Sequence, residues 1–332
     1  MATLTQPQLT LSEQIKQIGP KGNLLDVINV MSQVNEIDMD APYVMANDRF
    51  SDVSSKVIKL PPIGTRRINR GSAGGVGRTA QHREFIEILE ARPFIDTLLL
   101  DSEPDGGSQA RLNQIKMFVE AMAQAKAEHV MYGSNTADDE VIDGFAPRYN
   151  SLAQSMVYGM GGTGSDLTSM FIVDWDPARC CFIYPKSVPK GGQNQALGVS
   201  DYDNGRVRIT DDEGRAFDAM ENVIRCAFGL KILDDRNVAR LCNIESSGVT
   251  NNLLEAGKMN NLVSAINHLT SKGRNAVLYA NADVKTQFDI WAMNKLNGCW
   301  MTEQVSGSPI TVFRGHPVRM VEAIVSTEDA IS

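Results

Sequence analysis

With 332 residues, 42% hydrophobic and 22% charged, the chain has the composition of a folded protein with room for a substantial core, in one large or two modest domains. Its formal net charge of −8 excludes a general nucleic-acid coat, which needs clustered Lys and Arg against phosphates, and no run approaches 18 apolar residues, so no membrane span is expected. The five cysteines (Cys180, Cys181, Cys226, Cys242 and Cys299) show no C-x-x-C spacing, and no signal peptide is read. Reduced thiols in a cytoplasm are expected, with no metal.

Residues 1–22 are largely polar, contain Pro7, Pro20 and Gly22, and read as an extended arm. Asn23 is placed to cap a short amphipathic helix carrying Leu24, Val27, Ile28, Met31 and Val34 and ending near Glu36. Such a helix packs on its own domain or docks on a partner.

Residues 53–83 carry Lys56, Lys59, Arg66, Arg67, Arg70, Arg78 and Arg83 and no acidic residue. Taking this +7 from −8 leaves −15 on the rest of the chain. Val57, Leu60 and Ile63 flank the stretch on one side, Phe85, Ile86 and Ile88 on the other, and Gly71–Gly77 (GSAGGVG) predicts a flexible tip. The pattern reads as a long β-hairpin. Strands of about ten residues at ~3.3 Å each would reach roughly 30–35 Å. A solvated surface loop is the plain alternative. A nucleic-acid grip lacks any aromatic stacking residue between Val53 and Arg83. The charge asymmetry favours a basic arm laid over the acidic surface of another copy of the chain.

A strand-like run follows from Phe85 to Leu100, then a breaker-rich turn from Asp101 to Gly107. Gln109–Met131 lacks Gly and Pro and carries Leu112, Ile115, Phe118, Val119, Met122 and Val130 as an apolar stripe. It predicts a helix about 35 Å long, stopped by Gly133. Leu167–Trp175, Arg206–Thr210 and Arg215–Leu233 read as strands, the last two joined by an acidic turn, and Leu253–Leu269 has helical spacing. Ala276–Ala280 predicts a strand, after which Asn281 caps a helix with Val284, Phe288, Trp291 and Leu296. Ile310–Phe313 and Val318–Val325 close the chain as strands around Gly315. The elements are segregated, so the class is α+β.

Gly159, Gly161 and Gly164 match G-x-G-x-x-G, yet a strand follows where a dinucleotide site needs a helix. As a P-loop the segment fails as well, because Ser165–Asp166 replaces the Lys-Ser/Thr pair. A tight turn between strands is expected, with a nucleotide-binding enzyme as the alternative. Asp174-Trp-Asp176-Pro177 reads as a turn, not a metal pair, and the four histidines are scattered. There is no G-x-S-x-G elbow, and Cys180–Cys181 lie in an apolar strand as inert thiols. No catalytic constellation emerges, which disfavours an enzyme. No catalytic, cofactor or metal residue is assigned.

The runs RYNSLAQ (from Arg148), GGTGSDLTSMFIVDW (from Gly161) and CFIYPK (from Cys181) together resemble a signature of major capsid proteins of short-tailed, epsilon15-like bacteriophages, which have the Hong Kong 97-type fold. Asp26–Ile37, Gly273–Asp289 and Phe313–Ile331 resemble further parts of that family in the same order. The resemblance implies an N-arm at 1–48 and an extended β-hairpin E-loop at 49–84. It implies a P-domain with its spine helix at 85–137, then an A-domain with returning P-domain strands at 138–332. The function implied is an icosahedral shell of hexamers and pentamers around double-stranded DNA, located in the virion and assembled in the host bacterial cytoplasm. Expected partners are many copies of itself, a separate scaffolding protein, a portal and a decoration protein, with no membrane and no cofactor. An N-terminal scaffolding domain is not expected, since about fifty residues precede the hairpin. The founding family's lysine–asparagine crosslink is not carried over, because Lys56 and Lys59 are expected near the hairpin base. Lys56, Lys59, Arg66, Arg67, Arg70 and Arg78 are the expected inter-subunit contacts. An encapsulin-like compartment shell is the alternative within the same fold.

Overall fold

A computed structural model describes residues 33–332 apart from 73, 103–106, 165, 187–198, 211–212, 247–250, 254, 256, 272, 294–299 and 306–307. Most of the arm of residues 1–48, and all of its helix before Gln33, lie outside the described residues. Residues 33–36, where that helix was expected to end, are not helical.

The first elements are helix α1 (Ile37–Asp40) and strand β1 (Tyr43–Met45). Strands β2 (Ser51–Lys59) and β3 (Arg78–Phe85) then form a two-stranded sheet of their own. The run predicted as strand from Phe85 to Leu100 is three elements: β4 (Glu87–Ala91), β5 (Phe94–Asp96) and the short helix α2 (Thr97–Asp101). Pro93 cannot donate to a ladder and interrupts the strand, and the Asp96 carboxylate then caps α2 by accepting from Leu98 N at 2.8 Å.

Helix α3 spans Ser108–Tyr132, as its Gly- and Pro-free sequence predicts. It stops at Gly133, although not through a left-handed cap, since φ there is −52°. A Cβ at this position would lie 2.5 Å from the His129 carbonyl and 2.6 Å from that of Ile142, so glycine is required by close approach. The predicted stripe needs correction: of its six residues only Val130 is buried, and Leu112 and Val119 are exposed. The helix is seated mainly by its last two turns, through Lys126, Ala127, Val130 and Met131.

Helix α4 (Phe145–Arg148) leads into strands β6 (Val157–Gly159), β7 (Leu167–Asp174) and β8 (Cys180–Tyr184). The long hairpin β9 (Val199–Thr210) and β10 (Ala216–Ile232) follows, then β11 (Val238–Glu245) and helix α5 (Met259–His268). Strand β12 (Ala276–Ala280), helix α6 (Ala282–Met293) and strands β13 (Trp300–Val305), β14 (Ser308–Phe313) and β15 (His316–Met320) complete the chain. One sheet runs β1-β8-β10-β4 with β5 and β9 also on β10; the other runs β13-β14-β15-β12-β7-β11-β6. Asn281 caps α6 as predicted, its Oδ1 accepting from Val284 N at 2.9 Å. The helix expected over Leu253–Leu269 is shorter, and β15 ends at Met320 because the chain turns there, Ile324 N donating to Val321 O. Leu296 lies outside the described residues.

The two sheets share one core, with Trp175 between them. Its ring meets Phe145, Phe182 and Tyr279, and its Nε1 donates to the Tyr279 hydroxyl at 2.8 Å. The Asp-Trp-Asp-Pro run is therefore a turn with a core anchor inside it. Asp174 accepts from Ser271 N at 3.2 Å, and Asp176 accepts from Ala178 N at 2.7 Å. Cys180, Cys181, Cys226 and Cys242 are buried, which pushes the Cys181 and Cys242 thiols up to about 11 and the other two upward as well.

The glycine segment is not a tight turn between neighbouring strands. Strands β6 and β7 lie on opposite sides of β11, parallel and antiparallel to it, so residues 160–164 cross over the end of that strand. The amides that a phosphate would need are taken: Met160 N donates to Cys242 O at 2.9 Å and Gly162 N to Asn243 O at 3.0 Å. A Cβ at Gly162 would meet that same Asn243 carbonyl at 2.7 Å. Close backbone approach, not phosphate chemistry, accounts for a glycine there.

Candidate subunit interface

The β2–β3 arm is the part of the subunit whose sequence demands most from its surroundings. Two antiparallel strands alone are marginally stable in water, and among the described residues this pair has no third strand. Beyond the ladder, the described residues from Leu60 to Gly77 run without regular pairing. The glycines of Gly71–Gly77 are not the apex, contrary to expectation. Residues 75 and 77 run back against Pro61 and Pro62, and the reversal is the turn Arg67–Arg70, closed by Arg70 N donating to Arg67 O at 3.1 Å. Asn69, at φ 61°, supplies the left-handed residue that this turn needs.

This places Arg66, Arg67 and Arg70 at the apex, beside Ile63 and Ile68, which are 96% and 93% exposed. Lys59 and Arg78 face each other at the far end of the ladder. Lys56, opposite Ala80, lies midway along the ladder and well short of the apex. Among the described residues, no carboxylate forms an ion pair with Lys56, Lys59, Arg66, Arg67, Arg70 or Arg78. Like charges directly opposite on a ladder repel, so the Lys59–Arg78 pair weakens the isolated arm. The arm also exposes Val57, Ile58 and Leu60.

Its root, by contrast, is fastened on every side. The two acids that bracket the acid-free stretch, Asp52 and Glu84, are both buried. Asp52 meets Lys231 Nζ of β10 at 2.6 Å. Both Nη atoms of Arg148 donate to Glu84, each at 2.7 Å, and His82 Nε2 lies 2.8 Å from the same carboxylate. Glu87 pairs with His129 of α3 and accepts from Ile142 N at 3.1 Å. The Asn47 amide grips both backbone groups of Val53. Sequence reasoning missed the charged anchors, because the partners of Asp52, Glu84 and Glu87 (Lys231, Arg148 and His129) lie 179, 64 and 42 positions away. The available signal was the two acids standing at the ends of an otherwise acid-free run.

The arrangement is a rigid root carrying a cationic, apolar arm, and it offers a surface, not a reaction centre. A sequence model of the family described as "Major capsid protein GP7" matches residues 19–332. The chain belongs to the major capsid protein GP7 family. It is accordingly a structural subunit of a phage capsid shell and a component of the virion. Comparison with curated proteins finds no match. Among solved structures, a chain of bacteriophage Epsilon15 superposes with a TM-score of 0.69 at 22% identity, over 100% of this chain and 99% of that chain. The bacteriophage JBD30 capsid chain gives 0.50 at 9% identity, over 89% of this chain and 93% of that chain. Both share its fold, the Hong Kong 97-type capsid fold that RYNSLAQ and GGTGSDLTSMFIVDW announced.

Acid will loosen the root of the arm in this capsid subunit. Burial alone would raise the Asp52 carboxyl, but hydrogen bonds from Lys231 and Ser54 together outweigh it and hold it below the usual carboxylate range. A depressed folded-state value means the contribution is present above the unfolded value and disappears as pH falls through the folded one. The loss therefore falls below about pH 4. Hydrogen exchange of β2 and β3 should accelerate there in the wild type. In Asp52→Asn it should already be fast at pH 7 and depend less on acid.

Proposed function

We propose that copies of this subunit form the hexamers and pentamers of an icosahedral head enclosing double-stranded DNA, each laying its basic arm across an adjacent copy. The observation that carries this reading is the arm itself: six cations without a carboxylate partner among the described residues, on a hairpin too slight to stand alone. The balance of −15 on the rest of the chain supplies the counter-charge. In this reading residues 1–48 are the N-arm, 49–84 the E-loop, 85–137 the P-domain with α3 as spine, and 138–332 the A-domain with returning P-domain strands. A separate scaffolding protein, a portal and a decoration protein complete the head, which assembles in the host bacterial cytoplasm. Each contact can be weak, at about 25 cal/mol per Å² of apolar area, because a closed shell engages every arm at once.

Reversing the three apex charges, Arg66→Glu/Arg67→Glu/Arg70→Glu, tests the reading. Closed shells seen by electron microscopy should disappear at moderate salt, while the urea midpoint of the unassembled subunit stays unchanged. Assembly with wild-type yield and wild-type salt dependence would overturn it. Nuclease-protected double-stranded DNA inside particles from the native source is the second expected result. A protein cargo in its place would point to a compartment shell.

A further inference from the structure

At the root of the arm lies a cleft of about 530 Å³, walled by Phe50, Phe85 and Ile88 and rimmed by Asp139 and Glu140. The three apolar side chains are about half exposed (55%, 57% and 49%), an unusual state for two phenylalanines that adjoin a packed sheet. The neighbouring carboxylates Asp138, Asp139 and Glu140 are all exposed, and no cation pairs with them among the described residues. This is an apolar floor with an acidic rim. The arm's apex is the reverse: Ile63 and Ile68 flanked by Arg66, Arg67 and Arg70.

We infer that this cleft is the seat of another subunit's arm apex. The inference rests on the proposal that the arm crosses to an adjacent copy, and it names the receiving surface. A subunit cannot fill its own cleft, because Phe85 in the cleft wall is also the last residue of β3, where the arm is rooted. A ladder from Ser51 to Lys59 holds the apex about 30 Å away. The contact is therefore between copies and heterologous, one surface meeting a different one, which closes into a ring when the rotation between copies allows. The cleft fits the apex in apolar character as well as charge, since it sets an apolar floor beside its acidic rim as the apex sets Ile63 and Ile68 beside its cations.

Two measurements on the full chain test it, both in a Cys299→Ser background. Ile68→Cys combined with Ile88→Cys should give a ladder of covalent multimers on non-reducing gels of assembled particles. Each single variant should give none, since the four described native thiols are buried. The second measurement is a charge exchange. Asp138→Lys/Asp139→Lys/Glu140→Lys should lower the yield of closed shells at least tenfold, and combining it with the three Arg→Glu changes should restore most of that yield. If the acidic reversal leaves assembly unchanged while the arginine reversal abolishes it, the arm still crosses to a neighbour but this cleft does not receive it. If neither reversal matters, the reading of the arm itself falls. Because all six changed side chains are exposed, an unchanged urea midpoint for each variant confirms that folding is intact.

Discussion

Replacing Arg240 by Met should destabilise the subunit by about 3–5 kcal/mol, the range for breaking a buried ion pair from one side. Arg240 sits in the middle of β11 with its side chain only 4% exposed, and Glu328, from the C-terminal tail, is 8% exposed. Every nitrogen of the guanidinium has a partner. Nη2 meets Glu328 at 2.9 Å, Nε donates to Ser169 Oγ at 3.0 Å, and Nη1 donates to the carbonyls of Ala146 and Tyr149 at 3.1 and 2.9 Å. The group also lies over the Phe171 ring at 5.3 Å. Removing it strands a carboxylate that Tyr132 and Ser169 then solvate with two hydroxyls alone. Urea unfolding of the unassembled subunit measures the loss. The double variant Arg240→Met/Glu328→Met should recover much of it, because two apolar groups leave no buried charge unpaired. A cost below about 1 kcal/mol for the single variant would show that water reaches the site.

Through Arg240 and its partner Glu328, five parts of the chain meet: α3 at Tyr132, α4 with Tyr149 just after it, β7 at Ser169, β11 and the tail. The tail is fixed a second time by Asn243, whose amide exchanges two hydrogen bonds of 2.9 Å with the backbone of Ile331. That clip lies where β11 is bulged and Asn243 turns to φ 57°. The arch over the strand end, the bulge and the clipped tail thus occupy one corner of the sheet.

Sequence periodicity located the elements that bury by rule and missed those that bury by pairing. Strand β12 and the Asn281 cap were legible, since an apolar run followed by Asn has few alternatives. Strand β11 was not, because Arg240 and Asn243 break the apolar run of VARLCNIE, and nothing local reveals that Glu328 waits 88 positions away. The arm was legible from its charges, whereas the place of its apex was not. Seven residues of GSAGGVG resemble a tip, yet Asn69 and the hydrogen bond from Arg70 set the turn earlier, and the glycines serve the packing against Pro61 and Pro62. The stripe on α3 misled for a related reason. Periodicity reports what a helix is able to bury, and a shell subunit can leave such a face for surfaces that a single chain does not contain.

The anchor of the arm offers the second large effect. Arg148→Ala should cost about 2–3 kcal/mol, less than Arg240→Met because its side chain retains 19% exposure, and it should also remove closed shells. Two parallel bonds from one guanidinium fix both the position and the tilt of Glu84, one residue before β3 ends at Phe85. A small rotation at that point moves an apex about 30 Å away by several ångströms. Arg148→Lys keeps the charge but loses the fork, so it should retain part of the stability and little of the assembly. The apex and the anchor can then be told apart. Reversing Arg66, Arg67 and Arg70 should abolish shells with no change in the urea midpoint or in hydrogen exchange at the root. Arg148→Ala should lower the midpoint and speed exchange in β3 and residues 141–149, with every arm charge still in place. If Arg148→Ala lowered the midpoint yet assembled normally, the arm would find its seat without a rigid root, and placement would belong to the receiving surface alone.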